Sequence, residues 1–307
     1  MKKIFNIIAI IAMATALTGC YDGYISDYRL PNMGFAMQKP LRTVVSTTNK
    51  IYVGVSIGGY REVDQSMWAN FSLDETLLAV TGLTMLPDSY YKLSDPNMFK
   101  VRYANLPVAD VAIEFTDAFY ADEKCKGTYY ALPFRLLATS IENEDSKYGA
   151  IRAGAETSVV AIKYICGYSG TYYRYGKIVE KDDTGAEVSN VSYKANALSL
   201  NKTVTLTTLG KNTISCPGLG NTSDGGLVIT IDDSGNLSYE GKEGGPAVTV
   251  GSGKFTLAGE HKFFGGDEAA PQIDLSYQYT KGGHTFEVTE TLVLRQWAER
   301  DLRVESF

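Results

Sequence analysis

"LVITIDDSGNLSYE", residues 227–240, alternates apolar and polar side chains on both sides of a turn. Leu227, Ile229 and Ile231 fall on one face, Asp233-Ser234-Gly235-Asn236 supplies the turn, and Leu237 and Tyr239 resume the alternation on the way out. A period of two flanking a glycine-containing turn predicts a β-hairpin with one buried face. The same grammar recurs in "EKDDTGAEVSNVSY" (180–193), around Asp183-Thr184-Gly185, and in "YQYTKGGHTFEV" (277–288), around Lys281-Gly282-Gly283. Earlier in the chain, Ile51, Val53, Val55 and Ile57 alternate in "IYVGVSIGG", as do Val111, Ile113 and Phe115 in "VAIEFTD". A helical period is rare, and a short helix is expected only over "DQSMWANFSLDETLLAV" (64–80), where the apolar spacing is irregular. The whole therefore predicts an all-β, all-antiparallel fold.

The chain is long for one β domain, and two are expected. Residues 141–157, "IENEDSKYGAIRAGAET", are polar and loop-like, and "SVVAIKYIC" after them places Val160, Ile162, Tyr164 and Cys166 on one strand face. Domain one is expected to close with that strand, covering 34–166, and domain two to open at "GYSGTYYRYG" and cover 167–307.

At the other end, Lys2 and Lys3 precede "IFNIIAIIAMATAL" (4–17), an apolar run that reads as a signal peptide over residues 1–19. A helix rising 1.5 Å per residue needs roughly 20 apolar residues to span a bilayer, so this run is too short to be an anchor. Leu17-Thr18-Gly19-Cys20 looks like a bacterial lipoprotein processing site, which predicts lipidation of Cys20 and a tether over 20–33. Several acyl chains on one cysteine hold a protein stably on a membrane that it does not cross. Removing the leader takes away two lysines and no acids, moving the formal charge from -6 to -8. Without a basic cluster, nucleic acid is excluded as an expected partner. Besides Cys20 there are Cys125, Cys166 and Cys216, which allow one disulfide at most.

Several segments together resemble a known family. "MGFAMQKPLRTV", "VGVSIGGYRE", "VAIEFTDAFY" and "TYYALPFRLLATS" resemble the N-terminal domain, long of unknown function, of a family of Bacteroidota surface lipoproteins. "GTYYRYGK", "GSGKF" and "IDLSYQYTKGGHTFEVTETLVLR" resemble the lipocalin-like domain that often follows it. The resemblance implies an immunoglobulin-like β-sandwich followed by an antiparallel lipocalin-like barrel or barrel-like sandwich. It also implies outer-membrane display facing the cell exterior, beside the transporter and the glycan-capturing lipoprotein of a polysaccharide-utilisation system. The implied ligand is a polysaccharide or oligosaccharide.

No motif supports catalysis. The two histidines, His261 and His284, lie apart without metal-ligand spacing, so neither a metal nor another cofactor is expected. "GYSG" lacks the second spacer of G-x-S-x-G. "VTVGSGKF" lacks the first glycine and the final Ser or Thr of a phosphate loop and reads as a turn before a strand. "KDDTG" and "IDDSG" lack the alternate acids and distal Glu of a calcium loop and read as hairpin turns. Glu114, Asp117 and Asp122 are the nearest approach to a glycosidase carboxylate pair, and they read as solvated loop and strand-edge acids.

Aromatic residues are the surplus: 21 Tyr, 12 Phe and 2 Trp. Sugar C–H faces pack on such rings, and tyrosine hydroxyls and neighbouring polar groups supply hydrogen bonds. Alternation assigns Tyr130, Leu132 and Phe134 inward, and likewise Tyr277 and Tyr279 with Ile273 and Leu275. Trp68, Trp297 and the group Tyr172, Tyr173, Arg174 and Tyr175 are harder to bury. Alternation separates Tyr172 and Arg174 from Tyr173 and Tyr175, so one of those faces is expected to be accessible. Glu290 shares a face with Phe286, Val288, Leu292 and Leu294, and so sits at a bulge, turns out, or is a polar group within the barrel. The expectation is a non-catalytic glycan-binding surface lipoprotein, its site formed by Trp68, Tyr172, Tyr173, Arg174 and Tyr175 near the domain junction. The alternatives are an adhesin-like surface protein that binds another protein and an unrecognised glycoside hydrolase.

Overall fold

The structure is a computed structural model and describes residues 30–60, 63–142, 150–263, 265–298 and 305–306. The expected signal peptide, Cys20 and most of the tether lie outside the described residues. The fold is all-β, a β-sandwich followed by a barrel-like domain.

In the first sheet the strands are β1 (Asn32–Gly34), β2 (Pro40–Val45), β3 (Lys50–Gly58), β4 (Trp68–Leu73), β5 (Thr84–Met85), β6 (Tyr91–Leu93), β7 (Met98–Val101), β8 (Val108–Phe115), β9 (Tyr130–Thr139) and β10 (Thr157–Ile165). Their order is β1-β3-β8-β7-β4-β9-β10-β2, with β5 on β9 and β6 on β8. Both ends of this order supply one core, in which Val53 and Val55 of β3 meet Val111 of β8, Phe71 of β4, Phe134 of β9, Ile162 of β10 and Val44 of β2. Phe71 stacks on Phe99 within it at a centroid distance of 4.3 Å, and Phe134 meets Phe71 edge to face at 5.2 Å and Phe99 at a tilt at 5.7 Å. The alternation in β3, β8 and β10 therefore reports a buried face as expected.

Two expectations need correction. The sheet is not wholly antiparallel: β10 runs parallel to β2, with Ala161 opposite Leu41, and β5 runs parallel to β9. Alternation states which face is buried but carries no information on the direction of a partner strand over a hundred residues away. Residues 64–80 form no α-helix. Trp68–Leu73 is β4, with Ala69 and Phe71 inward, and Glu75–Leu78 is a 3-10 turn capped by Asp74, which accepts the Thr76 N–H. The one α-helix among the described residues is α1 (Asp117–Ala121), which buries Phe119 and Tyr120.

The second sheet comprises β11 (Gly170–Lys181), β12 (Glu187–Ser192), β13 (Lys202–Thr208), β14 (Thr213–Pro217), β15 (Gly226–Ile231), β16 (Leu237–Gly241), β17 (Val248–Thr256), β18 (Gln272–Lys281) and β19 (His284–Trp297). The order β16-β15-β14-β13-β11-β19-β18-β17 is an up-and-down meander in which each strand neighbours the next in sequence, apart from β12, a short arm on β11. Its ends meet: the Phe255 N–H donates to Gly235 O, Asn236 bridges Lys254, and the Tyr239 hydroxyl donates to Ser252 O. An eight-stranded sheet that closes in this way is just wide enough for its side chains to fill it. Tyr172, Leu206, Ile214, Leu227, Ile229, Ile231, Ile273, Leu275, Tyr277 and Leu292 do so. The "GSGKF" stretch lies inside β17 at a register shift, not in a turn before a strand. β20 (Glu305–Ser306) returns to pair with β2, so the chain's last strand belongs to the first sheet and not to the barrel.

The three hairpins form with the expected chemistry. Asp182 and Asp232 each accept backbone N–H groups two and four residues on, at Thr184 and Ala186 and at Ser234 and Asn236. Gly282 and Gly283 both have positive φ, 61° and 86°, as a two-residue turn that matches strand twist requires. No helix among the described residues is long and apolar enough to cross a membrane.

Candidate functional site

β10 carries the chain from one core into the other: Tyr164 belongs to the sandwich core and Cys166, two residues on, to the barrel core. Gly167 sits against Thr47, where a Cβ would collide with the threonine side chain. Polar contacts fasten this seam. The Gly167 N–H donates to Ser46 Oγ at 3.0 Å, the Cys166 N–H to Thr208 Oγ1 at 2.9 Å, and Lys126 Nζ to Leu209 O at 3.0 Å. Lys211 bridges Asp117 at 2.7 Å.

Beside the seam lies a cleft of about 480 Å³, lined by Thr47 of the sandwich, Gly167 and Tyr168 of the connection, Asp232–Gly235 of a barrel hairpin, and Phe255, Leu257 and Trp297. Tyr168 and Phe255 meet edge to face at 4.9 Å, and Tyr168, Phe255 and Trp297 are all half-buried. Asp232 is committed to its turn, whose N–H groups hold its carboxyl below the usual range, whereas Asp233 is exposed. The volume falls in the range of small-ligand clefts, and the lining joins apolar ring faces to a polar rim.

The predicted site residues are not brought together. Trp68 is half-buried on β4 of the sandwich, opposite Lys100 of β7, in a strand where a short helix was expected. Tyr172 and Arg174 face the barrel interior, as alternation separated them, and Tyr172 donates to Tyr168 O at 2.7 Å. Tyr173 and Tyr175 face outward, but Tyr175 is buried beneath Leu198 and Phe263, and only Tyr173 is half-exposed. Tyr168 lies in the segment that opens domain two, and Trp297, which alternation left hard to bury, ends β19; Phe255 and the Asp232 hairpin reach the cleft only through barrel closure.

Glu290 is the polar group inside the barrel. Its Oε1 accepts from Tyr277 at 2.8 Å and its Oε2 from Tyr193 at 3.2 Å, and Arg174 Nε lies 3.0 Å from Oε2 in an ionic contact without hydrogen-bond alignment. Arg174 also donates to Pro217 O and Gly218 O, and the Tyr277 hydroxyl accepts the Gly220 N–H. Burial pushes the Glu290 carboxyl above its ordinary range, against the pull of Arg174 and the two phenols. Glu290, Arg174 and Tyr277 are buried, and Tyr193 is half-buried where it joins them.

The other carboxylates singled out have separate partners. Glu114 pairs with Lys50 and Asp117 with Lys211, while Asp122 accepts the Lys124 N–H and the hydroxyls of Tyr90 and Tyr130. These contacts hold all three below the ordinary carboxylate range, the opposite of what a general acid requires. No group of three potential metal ligands occurs among the described residues. Cys125, Cys166 and Cys216 are buried free thiols, so the single disulfide that the cysteine count allowed is not formed among them.

Fold and cleft define a class: a two-domain β protein whose aromatic-lined hollow lies where sandwich meets barrel. Residues 167–298 match the model of a domain of unknown function, DUF5627, and residues 24–143 match a model of an N-terminal domain. The chain is thus similar over most of its length to proteins of unknown function. A structural-genomics protein of unknown function from Bacteroides ovatus shares the fold, with a TM-score of 0.68 at 20% identity, over 91% of this chain and 99% of that one. A second protein of unknown function from the same species aligns with a TM-score of 0.40 at 11% identity, over 91% of this chain and 97% of that one. A third, proposed to bind carbohydrate, aligns at 0.29 and 12%, over 87% and 99%. At such TM-scores the last two carry nothing over to this chain. No curated protein matches it in sequence.

Proposed function

We propose that this chain is a non-catalytic surface lipoprotein that holds a glycan in the cleft at the seam, as an accessory of a polysaccharide-utilisation system. The observation that carries the reading is the grouping of Tyr168, Phe255 and Trp297, from three separate segments, around one open hollow beside the exposed Asp233. Ring faces that are neither fully buried nor isolated suit the C–H faces of sugars, and the hairpin offers carbonyls and a carboxylate to hydroxyls. Anchorage through Cys20 and display on the outer membrane, beside a transporter and a glycan-capturing lipoprotein, complete the proposal and rest on the sequence at the N-terminus and on the family resemblance.

The test begins with a panel of polysaccharides in affinity gels. Once a binder is found, Trp297→Ala and Tyr168→Ala should each weaken it by about 2 kcal/mol, more than tenfold, at unchanged melting temperature. Folded variants that bind like the parent would place the ligand elsewhere, and release of reducing sugar would replace binding by hydrolysis. Separately, Cys20→Ser should abolish lipid labelling and membrane attachment; an unchanged membrane fraction would remove the anchor from the proposal.

A further inference from the structure

On the outer wall of the barrel, away from its packed interior, the 3-10 turn Leu198–Leu200 and the segment around Phe263 cover β11 and β19 and leave a small hollow of about 170 Å³. Its lining includes Tyr173, Leu198, Phe263 and Leu294, with Lys262 and Arg295 at the same opening. We propose that this hollow binds a single carboxylated sugar, a uronic acid, with the ring against Tyr173 and Phe263 and the carboxylate on Arg295.

Charge is the first argument. The chain is acidic overall, yet two cations converge here. Arg295 is exposed, and among the described residues it has no carboxylate partner; its guanidinium carbon lies 5.8 Å from the Tyr173 ring centre. A planar guanidinium beside an aromatic face can still offer its outer N–H groups to both oxygens of a carboxylate. Lys262 is held at 2.8 Å by Asp267, whose carboxylate is fully exposed, so a competing anion displaces a weak surface pair.

Shape is the second. The hollow has room for one ring and no more, and Leu198 and the two aromatics give it an apolar side that a bare phosphate or carboxylate would leave unused. A neutral hexose would use that side and forgo the cations. A sugar acid uses both. This hollow shares no lining residue with the seam cleft, although Arg295 and Trp297 are two positions apart on β19.

The whole chain would be titrated calorimetrically with glucuronate, with glucose as ring without charge and inorganic phosphate as charge without ring. Glucuronate should bind about tenfold or more tightly than either, and more weakly as salt rises. Arg295→Gln, at an exposed position that the fold tolerates, should weaken glucuronate about tenfold or more and leave the melting temperature unchanged. The proposal is overturned if glucuronate fails to bind, if glucose or phosphate binds as well, or if Arg295→Gln binds like the parent.

Discussion

Arg174 on β11 and Glu290 on β19 are diagonal neighbours on adjacent paired strands, both turned into the barrel, at positions where the strand pattern otherwise supplies Tyr172, Leu292 and Leu294. Two charges removed from water are tolerated because the carboxylate also accepts two phenols and the guanidinium also donates to two carbonyls. Removing one partner strands the other. Glu290→Ala should lower the free energy of unfolding by about 3–5 kcal/mol in urea denaturation, whereas Arg174→Met with Glu290→Leu should cost less than the two single changes together. The thiols give a second prediction at this scale. Burial pushes Cys125 and Cys216 up to about 12 and Cys166 up to about 11, so all three are protonated as well as inaccessible at neutral pH. Ellman's reagent should leave them unmodified in the folded protein and titrate them in denaturant; rapid native labelling would contradict their burial.

Among the elements, the hairpins were the most legible, because a turn declares itself within a few residues. In the β18–β19 hairpin, Gly283 needs positive φ and a Cβ there would meet no neighbour, so Gly283→Ala costs backbone conformation alone, about 1 kcal/mol, read as a shift in urea midpoint. The stretch 141–157 divided differently. Residues 143–149 lie outside the described part, but the remainder is tied to β1: the Met33 N–H donates to Ala150 O, the Arg152 N–H to Met33 O, and the Phe35 N–H to Ala155 O. The Arg152 guanidinium reaches Phe35 O at 2.9 Å. Polar composition made this segment look like a free loop, whereas its backbone groups are paired and Ala150 and Ala155 are buried. Trypsin should therefore spare the bond after Arg152 until the sandwich unfolds. Trp68 was misplaced for a related reason: Ala69 and Phe71 give β4 only two inward positions, too few for alternation to outweigh the polar neighbours.

For the molecule as a whole, many carboxylates respond to folding in one direction. Asp74, Asp122, Asp182 and Asp232 all lie below their ordinary 3.8 because folding supplies each with N–H or O–H donors, from Thr76, Lys124, Thr184 and Asn236 among others. At these four groups the folded protein binds fewer protons than the unfolded chain in acid, whereas Glu290, raised by burial, works the other way. The stabilisation from the four is complete above the unfolded value and is lost as pH falls through the lower folded values. The urea midpoint should drop between about pH 6 and about pH 2.5, and Asp122→Asn, which removes one such group, should flatten that drop. A midpoint that rose on acidification would contradict these pairings.

The sequence by itself determined the all-β class, the three hairpins and most inward faces, because those rest on local periodicity and on residues such as Gly282 and Gly283 whose backbone needs are specific. It also separated Tyr172 and Arg174 from Tyr173 and Tyr175, since neighbouring strand residues must point to opposite sides. Only the tertiary structure decided which side was the interior, that β10 runs parallel to β2, and that Glu290 has Arg174 beside it on the neighbouring strand. The cleft was likewise beyond the sequence: Tyr168, Phe255 and Trp297 come from segments up to 129 positions apart, and barrel closure alone brings them to one hollow. Periodicity is a property of neighbours along the chain, whereas a binding site is made of neighbours across it.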